Sequence, residues 1–179
     1  VALKDGTFWV SDEYGPHIVH YDANGKEIGR INAFKADKRD NWNIPNEFGY
    51  RRANRGMEGL TITPDGKTLV GIMQSTMDNP TTAVNKSDLT RIVTIDLETK
   101  KVKQYLYKQE GGAKAYSNSA ITALSNTSFL VLERDGDFYR DNPSAFKRVY
   151  KIDLRNATNL EDIAETAQIK QDAKLGLTI

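Results

Sequence analysis

Three stretches of this chain are written in one grammar, and that repetition limits the folds open to it. The first, "LKDGTFWVSDE", leads through a Gly-Pro turn to "HIVHYDANGKEIGRI". The second, "GLTITPDGKTLVGIMQS", resumes after a polar insertion as "RIVTIDLETKKVKQYLY", and the third, "AITALSNTSFLVLERDG", resumes as "RVYKIDLRNA". Each runs strand, turn rich in Asp, Asn and Gly, second strand ending on polar groups, variable loop, and third strand closing on YD or ID. Asp5, Asp65 and Asn126 mark the equivalent turns about 60 residues apart, longer than the roughly 40 to 50 residues of common propeller repeats, with loop insertions making up the difference.

The turns have a mechanism. Lys4-Asp5-Gly6, Asp22-Ala23-Asn24-Gly25 and Pro64-Asp65-Gly66 supply the Asx hydrogen bonding and the positive-φ glycine that tight hairpins require. "RIVTIDL" and "RVYKIDL" alternate apolar and polar residues and are rich in β-branched side chains, which predicts half-buried strands. Helical patterning is weak. The tail "NLEDIAETAQIKQDAK" is the best candidate for one short helix.

Antiparallel units that cannot bury both faces alone point to an all-β fold of propeller blades in preference to a flat sandwich. The copies span about 5–31, 57–107 and 117–154 within one domain over 1–179, with 32–56 inserted as a lid or a connection. Three blades do not close a ring of the usual four to eight. The expectation is therefore a fragment, or a partly covered chain, of a larger propeller.

The 179 residues, 39% hydrophobic and 27% charged, suffice for one sizeable core. A formal charge of +1 gives the whole molecule no pull toward nucleic acid or an anionic membrane. No apolar run approaches the roughly 20 residues of a membrane span, and no protein partner is evident. The chain opens directly on strand-like sequence, which fits a sequence lacking its leader or an earlier segment. With no cysteine there is no disulfide, zinc-thiolate site or thiol nucleophile. Neither a G-x-S-x-G elbow nor a Walker or dinucleotide fingerprint occurs.

Equivalent strand ends in blades converge on one mouth. Asp12 and Glu13 follow "FWVS", Gln74 follows "LVGIM", and Glu133 with Arg134 follow "FLVL". "NRGMEGLTI" places Glu58 just ahead of an inner strand, with Arg55 three residues earlier and Gly56 and Gly59 allowing close backbone approach. Asn118 and Ser119 of "YSNSAITAL" occupy the same place in the third copy. One reading is a mouth lined by Asp12, Glu13, Glu58 and Glu133 and completed by Gln74 and Asn118, oxygen donors of the kind Ca²⁺ accepts. The plain alternative is acids that end strands at solvent and pair with Arg134, Arg52 or Arg55. His17 and His20 lie three apart on a strand and face opposite ways, so they read as packing or surface groups. Asp135, Asp137 and Asp141 lack EF-hand spacing and read as a solvated loop. Trp9 reads as core and Trp42 as loop.

"WVSDEYGPHIVHYDANG", "NRGMEGLTITPDGKTLVGIMQ" and "SNSAITALSNTSFLVLERDGDF" resemble, in order and spacing, the family described as having the esterase-like activity of phytase. The resemblance covers most of 5–154 and implies a β-propeller, exported to periplasm or medium, assigned to phosphoester hydrolysis. Carried over by position, the family's acidic and amide motif residues fall on Asp12, Glu13, Glu58, Gln74, Glu133 and Arg134. The leading expectation is a metal-assisted phosphoesterase acting on a small molecule. In it Ca²⁺ sits among Asp12, Glu13, Glu58 and Glu133, and Glu58 or Glu13 is general base. Arg134 and Arg55 hold phosphate, with Gln74 and Asn118 beside them. A Ca²⁺-dependent lactonase or carboxylester hydrolase of propeller type and a non-catalytic binding propeller are the alternatives.

Overall fold

The computed structural model describes residues 1–39, 42–79, 81, 82, 87–110 and 117–163. Among the described residues eleven strands form three sheets, one per sequence copy. The first holds β1 (Phe8–Ser11), β2 (His17–Tyr21) and β3 (Glu27–Asn32), antiparallel, with the short β4 (Trp42–Asn43) parallel to β3. The second is an antiparallel meander of β5 (Met57–Ile62), β6 (Thr68–Met73), β7 (Leu89–Asp96) and β8 (Val102–Lys108). The third is β9 (Ser117–Ala123), β10 (Ser128–Arg134) and β11 (Lys147–Asp153). None of the three sheets closes on itself.

The hairpin chemistry works as the turn residues dictate. The Asp22 carboxylate accepts from the N–H groups of Asn24 and Lys26, both at 2.9 Å, and Gly25 takes φ +81°. In the first copy the opening residues stand where β5 and β9 stand in the others. Val1 and Trp9 exchange backbone hydrogen bonds and Ala2 bridges Phe8, so Val1 to Leu3 edges β1 as β5 edges β6.

The sheets pack face to face, with the second in the middle. Alternation along β6 sends Leu69 and Met73 into a core shared with Trp9, Ile18 and Ile31 of the first sheet. Val70 and Ile72 go into another core, shared with Ile121, Phe129 and Val131 of the third. β7 is correspondingly buried from Leu89 to Val93, more deeply than a half-buried strand, while β11 is mostly exposed. The insertion 32–56 is structural as well: Ile44 and the Phe48 of a 3₁₀ turn (Asn46–Tyr50) enter the first core, and Trp42 lies on β4 with its ring edge toward Trp9. In the tail a 3₁₀ turn covers Leu160–Asp162, and the rest of the expected helix lies outside the described residues.

Burial of β7 includes Arg91, a polar position of the alternating "RIVTIDL" pattern. Its guanidinium is fully buried, donates to Gln104 and lies 3.7 Å from Glu47. The Gln104 amide in turn donates to Glu47 at 3.1 Å and Glu161 at 2.6 Å. Burial draws the Arg91 pKa down to about 10, opposed by Glu47 and Glu161. The network ties both 3₁₀ turns to the central sheet.

A chain of backbone hydrogen bonds crosses all three sheets at one end. Gly56 N–H donates to Glu13 C=O at 2.8 Å, Gln74 N–H to Gly56 C=O at 2.6 Å, and Asn118 N–H to Gln74 C=O at 2.8 Å. Close approach of β5 to β9 rests on Gly59, where a Cβ would sit 3.0 Å from Ile121 N and 2.7 Å from Ile72 Cγ2. Gly59→Ala is expected to lower unfolding free energy in urea by about 1 to 3 kcal/mol through overpacking. Arg91→Ala, which strands two carboxylates, is expected to lower it by about 3 to 5 kcal/mol.

Candidate active site

The site is made where β5 and β9 begin. Both strands carry an extra residue there: Met57 faces Met73 and Gly59 faces Ile72, leaving Glu58 without a partner, and Asn118 faces Glu133 while Ala120 faces Leu132, leaving Ser119 without one. A bulge re-aims the side chain it carries. The two bulges occupy equivalent places in two copies and turn Glu58 and Ser119 toward each other's surroundings.

Arg134 connects them. Its Nε donates to Ser119 Oγ at 2.6 Å, and its Nη2 lies 3.7 Å from Glu58 Oε2. That carboxylate oxygen also accepts from Gln74 Nε2 at 2.8 Å. Ser117, directly across from Arg134 in the β9–β10 ladder, accepts from Arg55 Nη1 at 3.1 Å. Two serines thus hold two guanidinium groups, one of them, Arg134, near a carboxylate. Burial lowers the Arg55 pKa, and the positive charges of Arg52 and Arg134 lower it further. Neither Arg52 nor Arg55 makes an ion pair among the described residues. Glu58 and Arg134 are each about one-third exposed, so the cluster faces solvent and a ligand can reach it.

The other expected residues are placed differently. Asp12 is spent on its own loop: Oδ1 accepts from the N–H groups of Tyr14 at 2.6 Å and Gly15 at 2.8 Å, and Oδ2 from that of His17 at 3.1 Å. Glu133 is neighbour to Arg134 in sequence and therefore points to the opposite face of β10. It is fully buried, accepting from the Tyr107 hydroxyl and, at 3.1 Å, from the Glu110 N–H. Glu13 is half-buried at the mouth, beside Gly56, where a Cβ would come 2.4 Å from its carbonyl oxygen.

The four acids therefore do not form the expected Ca²⁺ cage. Among the described residues no three His, Asp or Glu groups come together as metal ligands. The remaining hard donors are Glu58 and the amide oxygens of Gln74 and Asn118, both buried and without a hydrogen-bond partner. The amide nitrogens are committed, to Glu58 and to Met73 C=O at 3.1 Å, so the orphaned atoms are oxygens. One carboxylate with two amide oxygens suits Ca²⁺ in donor chemistry.

Sequence reasoning passed over Ser117 and named Ser119 without a role; the signal was the Ser-x-Ser spacing opposite Arg134. His17 and His20 serve separate contacts, His17 near Phe34 and Asn32, His20 stacked on Trp9 with ring centroids 4.2 Å apart. Asp135 accepts from Asp137 and Phe146 N–H groups and from Lys147, and Asn142 bonds Asp137 at 2.7 Å, closing that loop on itself.

Repeated antiparallel sheets, with arginines gathered where β5 and β9 begin, define an all-β class of protein. The chain belongs to the phytase-like family, described as having the esterase-like activity of phytase, which it matches over residues 1–177. It is also 34% identical over 100 residues to an uncharacterized secreted protein of Arthroderma benhamiae, an alignment covering 44% of this chain and 19% of that relative. The aligned part is thus about a fifth of the relative's length. No helix among the described residues is long and apolar enough to cross a membrane.

Burial holds both imidazoles below the ordinary 6.5, with Asp12 opposing it at His17 and Asp5 at His20. The unfolded chain binds those protons first as pH falls. Stability is expected to decline as pH drops below 6.5, ahead of the carboxylate range, and to level off once the folded imidazoles are protonated. Urea unfolding between about pH 7.5 and 5 checks this, and His20→Gln removes part of the slope.

Proposed function

We propose that the protein is an exported phosphoester hydrolase in which the three sheets are consecutive blades of a larger β-propeller and the Glu58–Arg134–Arg55 cluster binds and cleaves the ester. The observation that carries this reading is the charge imbalance: three arginines converge, and among the described residues only Glu58 lies within ion-pair reach of any of them. Guanidinium groups pre-placed by serines suit the planar, charge-assisted bonds that a phosphate dianion makes. A neutral lactone or carboxylester gives them no such use. Export is supported by the secreted relative.

The chain's own groups define the chemistry. Arg134 and Arg55 hold the phosphate oxygens, and their positive charge grows more favourable as negative charge develops in the transition state. Gln74 fixes one oxygen of Glu58, leaving the other to take a proton from water attacking phosphorus. The ester P–O bond breaks and the leaving oxygen takes up a proton. A bound Ca²⁺ would be held by Glu58, Gln74 and Asn118 and would add positive charge beside the phosphate.

In the full-length protein, Glu58→Gln is expected to lower kcat for p-nitrophenyl phosphate by about 10²- to 10⁴-fold, the range for a lost general base. Arg134→Gln and Arg55→Gln are expected to raise KM. Inorganic phosphate should raise the Tm of the native protein and leave the double arginine variant unmoved. A preference for p-nitrophenyl acetate with no effect of the arginine changes would overturn the assignment.

A further inference from the structure

Glu133 stands in surroundings the mouth does not explain. It lies in a cleft of about 450 Å³ between the edge of the second sheet and the third, lined also by Tyr107, Glu110, Tyr150 and Ile152. Cross-strand register puts Arg148 opposite Glu133 and Tyr150 opposite Val131, on the same face. Arg148 nevertheless leaves Glu133 alone: its guanidinium stacks 5.4 Å over the Phe146 ring and donates to Lys147 C=O at 3.1 Å. No cation lies within ion-pair reach of Glu133 among the described residues. The Tyr150 hydroxyl is buried and has no hydrogen-bond partner.

A fully buried carboxyl group with two tyrosines beside it and a second acid, Glu110, close by attracts positive charge and repels anions. Burial, reinforced by the Glu110 charge, lifts the Glu133 carboxyl above the usual range, as befits an acid held without a cation beside it among the described residues. Two carboxylates are too few for a metal cage, and no trio of metal-ligating side chains forms here among the described residues. Ring faces and a recessed carboxylate instead match an organic cation, which can be held by charge and by the aromatic quadrupole together. Lys108 and Lys151 line the rim with exposed side chains, and Lys108 leans 3.9 Å from Asp88, so their ammonium groups face water.

We propose that this cleft is a second ligand site, separate from the mouth, that takes a primary ammonium or guanidinium group onto Glu133 beside the rings of Tyr107 and Tyr150. Calorimetric titration of the full-length protein with n-butylammonium chloride, at constant ionic strength and with n-butanol as neutral control, tests it. The expected result is saturable binding that is at least tenfold weaker for the alcohol and for Glu133→Gln, and unchanged in Arg134→Gln. Lys151→Gln removes a competing rim charge and should tighten binding several-fold. Equal binding of the alcohol, or affinity unmoved by Glu133→Gln, would overturn the proposal. Should Glu133→Gln fail to fold, unmoved affinity in Lys151→Gln overturns it instead.

Discussion

The backbone hydrogen bonds that run from Glu13 through Gly56 and Gln74 to Asn118 hold the three sheets in step at one end. Side-chain packing alone brings two sheets together over a range of angles and slides. Main-chain bonds between the end of one sheet's second strand and the start of the next sheet's first strand remove that freedom. They demand a residue without a Cβ at Gly56, because any side chain there would run into the Glu13 carbonyl. They also bring the bulges at Glu58 and Ser119 to one level. Arg134 reaches both only because that level is shared. The site is a consequence of how the sheets are stitched.

Two groups of arginine show how differently one side chain is used. Arg91 is sealed in the central sheet with Glu47, Glu161 and Gln104 around it, and its charge is answered from within the fold. Such a group ties elements together, and its burial keeps it out of a ligand's reach. Arg52, Arg55 and Arg134 are partly exposed, Arg55 feels the charge of the other two, and of the three Arg134 alone lies within ion-pair reach of a carboxylate among the described residues. Mutual repulsion there costs stability that an incoming anion would relieve. Uncompensated charge on a rigid scaffold is preorganisation in the electrostatic sense, since no side chain has to be recruited at the moment of binding.

Much of the architecture was legible because turns and period-two patterning are local. Asp22 to Gly25 and Asp65 to Gly66 announce their hairpins in the residues themselves, and the equivalence of Glu58 with Asn118 and Ser119 follows from counting along the repeats. The close approaches at Gly56 and Gly59 were readable for the same reason. What escaped was non-local. Arg91 occupies a polar position in an alternating strand, and only the packing of a third sheet on the far side of the second makes that position internal. The bulges leave no mark in composition. They appear only when two strands are paired and one residue is left over.

The same limit explains the acids. Adjacent carboxylates in "DE" and an acid-base pair in "ER" look like clusters on paper, yet Asp12 and Glu13 lie in the loop beyond β1, and Glu133 and Arg134, neighbours on β10, face opposite ways. Asp12 turns back to cap the Gly15-Pro16 loop with three backbone donors while Glu13 stays at the mouth. Glu133 turns into the cleft between sheets while Arg134 turns to Glu58. One strand end thus serves two separate surroundings, one rich in positive charge and one rich in negative. Proximity in sequence assigned these pairs a common chemistry, and the pleat of the strand divides it.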